Sequence, residues 1–125
     1  MRLWKVVFAL AAAFNFLVGL PLLLAPAAFY AAMKQPVPTD LMSVQTSALL
    51  ISVFGVGYVM VARDPPRNRA IVWLGLLGKA PLPLMVWLQV QAGKTSMSTF
   101  QLTLGDLVFA ILFLIFLLRT PRPAV

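Results

Sequence analysis

The sequence predicts an all-α integral membrane protein, a bundle of four antiparallel helices with both ends cytoplasmic, and three observations carry that prediction. Apolar residues make up 62% of the 125 residues and charged residues 10%, with a mean hydropathy of +0.96, against roughly 45–50% apolar and 25% charged in soluble domains. The apolar residues fall into four runs, each near the ~20 residues that a helix needs to cross the hydrocarbon core. Together these runs and their short connections use nearly all of residues 1–125, read as one domain. Basic residues flank the runs rather than interrupting them, as residues that orient a membrane protein do.

The first helix is expected over about 4–25, after the basic start Met1-Arg2-Leu3-Trp4-Lys5, with a bend at Pro21. A cleaved signal peptide is the rival reading, since Ala25-Pro26-Ala27 loosely resembles a small-residue cleavage site. The apolar run is longer than the ~7–15 residues of a signal core, and Pro26 sits awkwardly in such a site, so a retained helix is the better account. Residues 26 to 40, with Pro26, Pro36 and Pro38, form the longest connection, and Ala27 to Met33 read as a short helix lying at the interface. Asp40 then caps the second helix, about 41–62. The basic turn Arg63-Asp64-Pro65-Pro66-Arg67-Asn68-Arg69 ends it. The third helix is expected over about 70–91, and residues 93 to 99 make a polar turn before the fourth, about 100–118. The tail Arg119-Thr120-Pro121-Arg122-Pro123 follows.

Loop charge sets the expected orientation. Arg2, Lys5, Arg63, Arg67, Arg69, Arg119 and Arg122 fall on one side of the four spans, and only Lys34 and Lys94 on the other, which places both termini in the cytoplasm. The formal charge of +7 and pI near 11.0 raise nucleic-acid binding for a soluble protein. Here the same charges are better explained as topogenic, and nucleic acid is not an expected partner. With no Cys and no His, a thiolate nucleophile, a disulfide and the commonest neutral metal ligand are all missing. Zinc, haem and triad chemistry are therefore not expected, and neither a metal nor a cofactor is assigned.

Polar residues at membrane depth are costly and usually face the bundle interior. Four stand out: Asn15, Gln45, Lys79 and Asp106. At about 1.5 Å per residue, Asn15 and Lys79 lie roughly 16 and 13 Å from the cytoplasmic ends of their helices, and Gln45 and Asp106 about 6 and 9 Å below the outer surface. They are expected to meet in the outer half of the bundle. Asn15 shares a face with Ala11, Ala12 and Gly19, a small-residue stripe that lets another helix approach closely. Gln45 shares one with Ala48, Ser52 and Val59, Lys79 with Gly75, Leu82 and Val86, and Asp106 with Thr103, Ala110 and Phe113. An isolated charge at such depth costs about 2.5–3.5 kcal/mol on insertion scales, so pairing Lys79 with Asp106 is the economical arrangement. That pair has three readings: a structural tie between the third and fourth helices, a ligand or proton site with Lys79 and Asp106 as the catalytic candidates, or two independent residues, Lys79 reaching the headgroups and Asp106 capping its helix.

Pro81 and Pro83, immediately after Lys79, lack the N–H groups that the carbonyls of Leu77 and Lys79 require, so the third helix is expected to kink there. Carbonyls freed at membrane depth must be met by protein, water or ligand. Arg63, Arg67 and Arg69 are either a solvated topogenic turn or a patch that contacts lipid headgroups.

The runs Gly55-Val56-Gly57-Tyr58, Ala62-Arg63-Asp64-Pro65, Leu77-Gly78-Lys79 and Gly105-Asp106-Leu107 resemble segments of small uncharacterised bacterial four-helix inner-membrane proteins, and the size and layout are distantly similar to the DoxX-like group. The resemblance implies a bacterial inner (cytoplasmic) membrane and brings no activity and no catalytic residue. Three functions stay open. The preferred one is a binding module or small enzyme for a lipophilic molecule entering from the lipid, anchored by Asn15, Gln45, Lys79 and Asp106. The others are a non-catalytic accessory subunit of a membrane complex and a minimal dimeric transporter. The transporter is weakened because small multidrug exporters carry a membrane-embedded Glu in their first helix, where this chain has Asn15, which cannot release a proton. Membrane lipids are the expected partners in each case, and a homo-oligomer is compatible with all three.

Overall fold

In the computed structural model, which describes residues 1–122, the chain is entirely helical, with no strand among the described residues. Among the described residues there are six α-helices and one 3-10 turn, of which five helices and the turn build four spans. The first is α1 (Arg2–Leu24), followed by the short α2 (Pro26–Ala32) and the second span, α3 (Leu41–Arg63). The third is divided: α4 (Arg69–Lys79), preceded by a 3-10 turn at Pro66–Asn68, gives way to α5 (Leu82–Gln91). The fourth is α6 (Met97–Arg119). By length and composition all four are able to cross a membrane. At 23 residues, α1, α3 and α6 each run about 35 Å, slightly more than a ~30 Å hydrocarbon core. Pro123 of the tail lies outside the described residues.

Local chemistry explains the boundaries. Asp40 caps α3 by accepting the backbone N–H of Ser43 at 3.1 Å, and Ser96 caps α6 by accepting that of Thr99. The Ser96 cap starts α6 three residues before the expected boundary, because the Ser-Met-Ser-Thr segment has the N-cap hydroxyl that a helix start needs. Helix α1 runs through Pro21 and stops at Leu24, with Pro26 opening α2 in the first-turn position where a missing N–H costs nothing. The break between α4 and α5 falls at Ala80 and Pro81, where the two prolines remove donors from the ladder.

Helices α1 and α3 form the closest pair. Gly19 sits against Ser52, where a Cβ would come within 2.6 Å of its hydroxyl, and Gly55 receives the ring of Phe16 at 2.9 Å from the same virtual position. The second pair is α4–α5 with α6, and α4 also packs on α3. Helix α5 does not follow it there: among the described residues it packs only on α6 and α4. The bundle is consequently closed at one end and parted at the other. At the closed end Phe8, Tyr58, Val61, Val72, Phe113 and Phe116 make a core in which each is at most 1% exposed. Phe8 stacks on Phe113 at 5.0 Å, and Phe116 and Tyr58 meet these rings edge-on at 5.2 Å. Trp4 packs on Phe116 at this same end, and the Arg69 guanidinium bonds Leu117 and Thr120 at the end of α6. The start of α1, the end of α6 and the basic turn after α3 thus share one end of the molecule.

The outward faces are apolar. Leu17, Leu24, Met42, Leu77 and Leu118 are each more than 65% exposed, which is a face suited to lipid and not to water.

Candidate functional site

Above the aromatic core lies a cavity of about 470 Å³, bounded by α1, α2, α3, α4, α5 and α6. It exists because the proline break turns α5 away from α3, so the third span closes the bundle below Lys79 and leaves a gap above it. Val18, Leu22, Leu50, Phe54, Leu82 and Leu102 make the walls. Leu50 and Gly78 at its border are exposed, so the space opens sideways between α3 and the α4–α5 break. A Cβ at Gly78 would touch nothing within 4 Å.

The polar residues collect at the floor. Lys79, 5% exposed, donates from Nζ to Asp106 Oδ1 at 2.7 Å and to Asn15 Oδ1 at 3.0 Å. Asn15 Nδ2 in turn donates to the Ile51 carbonyl at 2.9 Å, which fixes the amide so that its oxygen faces the ammonium. One network therefore ties α1, α3, α4 and α6 together at a single level. Three aromatic rings surround the ammonium: Phe14 at 5.1 Å, Tyr58 at 5.6 Å and Phe109 at 5.8 Å from Nζ to ring centre, within range of cation–π attraction. Gly105 makes this possible by admitting the Phe14 ring, which lies 2.6 Å from where its Cβ would be.

The fourth expected residue is elsewhere. Gln45 donates to the Leu23 carbonyl at 3.0 Å, tying the start of α3 to the end of α1, and does not line the cavity. It lies too close to the end of α3 to reach the floor, and the Leu23 carbonyl, in the last turn of α1 where the helix supplies no N–H partner, is nearer. Along α3 the buried face runs Ala48, Ser52, Gly55, Tyr58 and Val61, so Val59 of the expected stripe points outward at 39% exposure.

Of the three arginines, Arg63 and Arg67 are exposed at the basic end. Arg67 stands 3.7 Å from Asp64 in a pair whose side chains are 82% and 49% exposed, too wet to contribute much to stability. Arg69 is turned inward, donating to the Leu117 and Thr120 carbonyls at 2.9 and 3.1 Å and to the Thr120 hydroxyl at 2.8 Å. It caps the C-terminus of α6, where a cation meets the negative end of the helix dipole.

Sequence reasoning passed over several residues that the fold brings to the cavity. Tyr58 reads as a packing aromatic, yet its hydroxyl borders the cavity floor beside Gly75, whose virtual Cβ would lie 2.6 Å from it. At the far end, Phe29, Tyr30 and Met33 of the α2 region lie over the cavity, and Gln35 Nε2 donates to Ser96 Oγ at 2.6 Å, linking the α2–α3 connection to the α5–α6 turn. Thr95 and Thr99 complete that rim. The signal for this lid was the short interfacial helix expected after Pro26, but nothing local says which helices it crosses. No group of three or more metal-binding side chains occurs among the described residues. Comparison with family models, with curated proteins and with solved structures finds no match.

Proposed function

We propose that this chain is a multi-pass membrane protein that binds a lipophilic small molecule in the cavity between α3 and α5, with the Asn15–Lys79–Asp106 network as the polar anchor. The observation that carries the reading is the coincidence of a 470 Å³ apolar chamber with the only intramembrane charges of the third and fourth spans at its floor. Small-molecule sites have this composition, ~300–1,000 Å³ of mostly apolar wall with a few convergent polar groups. A purely structural ion pair needs no chamber above it. The sideways opening between apolar exposed faces suits entry from lipid rather than from water.

In this reading the basic end, carrying Arg2, Lys5, Arg63, Arg67 and Arg119, faces the cytoplasm, and the α2 lid lies at the opposite interface. A bacterial cytoplasmic membrane is the setting that the resemblance drawn from the sequence implies. Arg63 and Arg67 are exposed at that end and are placed to meet anionic headgroups. Asp106 is the group best placed to take a proton from a bound molecule, with Lys79 balancing its charge, so proton transfer is the chemistry the site would support if it acts on its ligand.

The deciding test separates anchoring from folding. Replacing both charges, as in Lys79→Met with Asp106→Leu, removes the pair without orphaning either partner, a change that is often neutral or stabilising. Native mass spectrometry with extraction of bound small molecules is expected to find an apolar molecule on the wild type and to find it absent from the folded double variant. A double variant that keeps the wild-type ligand would overturn the anchor. An empty wild type would favour the accessory-subunit reading, in which the pair only joins helices.

A further inference from the structure

The floor of the cavity specifies the head of its ligand, because its hydrogen-bonding capacity is only partly used. Asp106 receives Lys79 at Oδ1, and among the described residues nothing donates to its Oδ2. Its side chain keeps 17% exposure and borders the chamber. Tyr58 is 1% exposed, and its hydroxyl has no protein partner among the described residues. Tyr58 is one of the residues that line the cavity, and its hydroxyl stands at Gly75, which lines it too. Lys79 has given two of its three protons to Asp106 and Asn15, and its remaining side is covered by the rings of Phe14, Tyr58 and Phe109. What the floor offers a ligand is therefore one charged acceptor, the Asp106 carboxylate, one phenol, which donates or accepts, and the second N–H of the Asn15 amide.

The charge at the floor is already balanced. An anionic head would add a second negative charge beside Asp106, and a cationic head a second positive charge beside Lys79, in an apolar space where unpaired charge is strongly disfavoured. A ketone, ether or ester accepts from Tyr58 and leaves the Asp106 carboxylate unmet. A hydroxyl meets both groups, donating to Asp106 Oδ2 while accepting from Tyr58.

Resting on the binding reading above, we propose that the ligand is a neutral lipophile carrying a hydroxyl head, a long-chain or isoprenoid alcohol or a phenol. Its hydroxyl sits between Asp106 and Tyr58, and its apolar body runs toward Thr99. That path follows α6 for seven residues from Asp106, about 10 Å at the helical rise, with Leu82 and Leu102 along it and Tyr30 at its far end. Gly75 belongs to this arrangement, since any side chain there would displace the Tyr58 hydroxyl.

The test uses the purified full chain in micelles, equilibrated separately with decanol, methyl decyl ether, decane and decanoate and read by native mass spectrometry after correction for partition into the micelle. Hydrogen bonds to charged groups contribute enough that decanol should bind at least about tenfold more tightly than the ether or the alkane. Decanoate should bind no better than the ether. Tyr58→Phe keeps the ring and its packing and is expected to weaken decanol and the ether alike while leaving decane binding unchanged, so that the preference for decanol over the ether, which comes from Asp106, persists. Equal binding of decanol, ether and decane, or a preference for decanoate, overturns the hydroxyl head while leaving a lipophile site standing. Absence of binding by every probe to a folded wild type overturns both this inference and the binding reading.

Discussion

The two halves of the bundle are built from the same four spans and have opposite interiors. At the basic end, α1, α3, α4 and α6 converge on Phe8, Tyr58, Phe113 and Phe116, rings that fill the space between them. At the lid end the same helices, with α5 substituted for α4, enclose a chamber with Leu, Val and Phe on its walls. Hydrophobicity does not distinguish the halves, since both are lined by apolar side chains. The difference lies in backbone path. The pair of prolines after Lys79 ends the register in which α4 packs on α3, and side chains of ordinary size no longer span the gap.

The comparison can be broken most directly by truncating one side chain in each half. Phe113→Ala, at 0% exposure in the solid half, is expected to destabilise by about 3–5 kcal/mol because it removes ring contacts and leaves a cavity. Leu102→Ala, on the chamber wall, should cost clearly less than the about 2–5 kcal/mol of a packed Leu, because it faces space already. Unfolding in mixed micelles measures both, and equal losses would mean that the lid half is as solid as the other. At the boundary, Gly75→Ala is expected to cost about 1–3 kcal/mol by overpacking, since the new methyl meets both Tyr58 and Phe113. It should also close the chamber floor and lower ligand occupancy, so a stable variant with unchanged occupancy would separate Tyr58 from the site.

The smallest effect is expected at the lid end of α3. Hydrogen bonds from the Ser43 hydroxyl and backbone hold the Asp40 carboxyl below its ordinary value. A carboxyl whose folded value is lowered stabilises the fold above its unfolded titration range and loses that contribution as pH falls through the folded value. Asp40→Ala should therefore lower the melting temperature slightly near neutral pH, with the difference from wild type shrinking in acid. A difference that persists unchanged into acid would show that the cap acts through shape and not through charge.

Much of this architecture was legible in the residues. Four apolar runs of membrane length and the flanking arginines define the spans, and the spacing of Ala11, Ala12, Asn15 and Gly19 defines the face of α1 that is buried. Two charges within apolar runs call for each other, because separation leaves each without a partner in a medium of low dielectric. The proline break is equally local, a matter of absent N–H groups. The position of Gln45 was not legible, because periodicity assigns a residue to a face without saying how deep along the bundle its reach ends.

What only the tertiary structure decided is where the break leaves space and what faces it. A sequence reports that Tyr58 is aromatic, that Gly75 is small and that Pro26 starts a short helix. It does not report that Gly75 clears the Tyr58 hydroxyl, that α2 lies over the chamber, or that Arg69 is drawn away from the surface to cap α6. The reason is physical: composition and period are properties of one segment, whereas a cavity is a mismatch between segments and exists only once their backbones have taken their places.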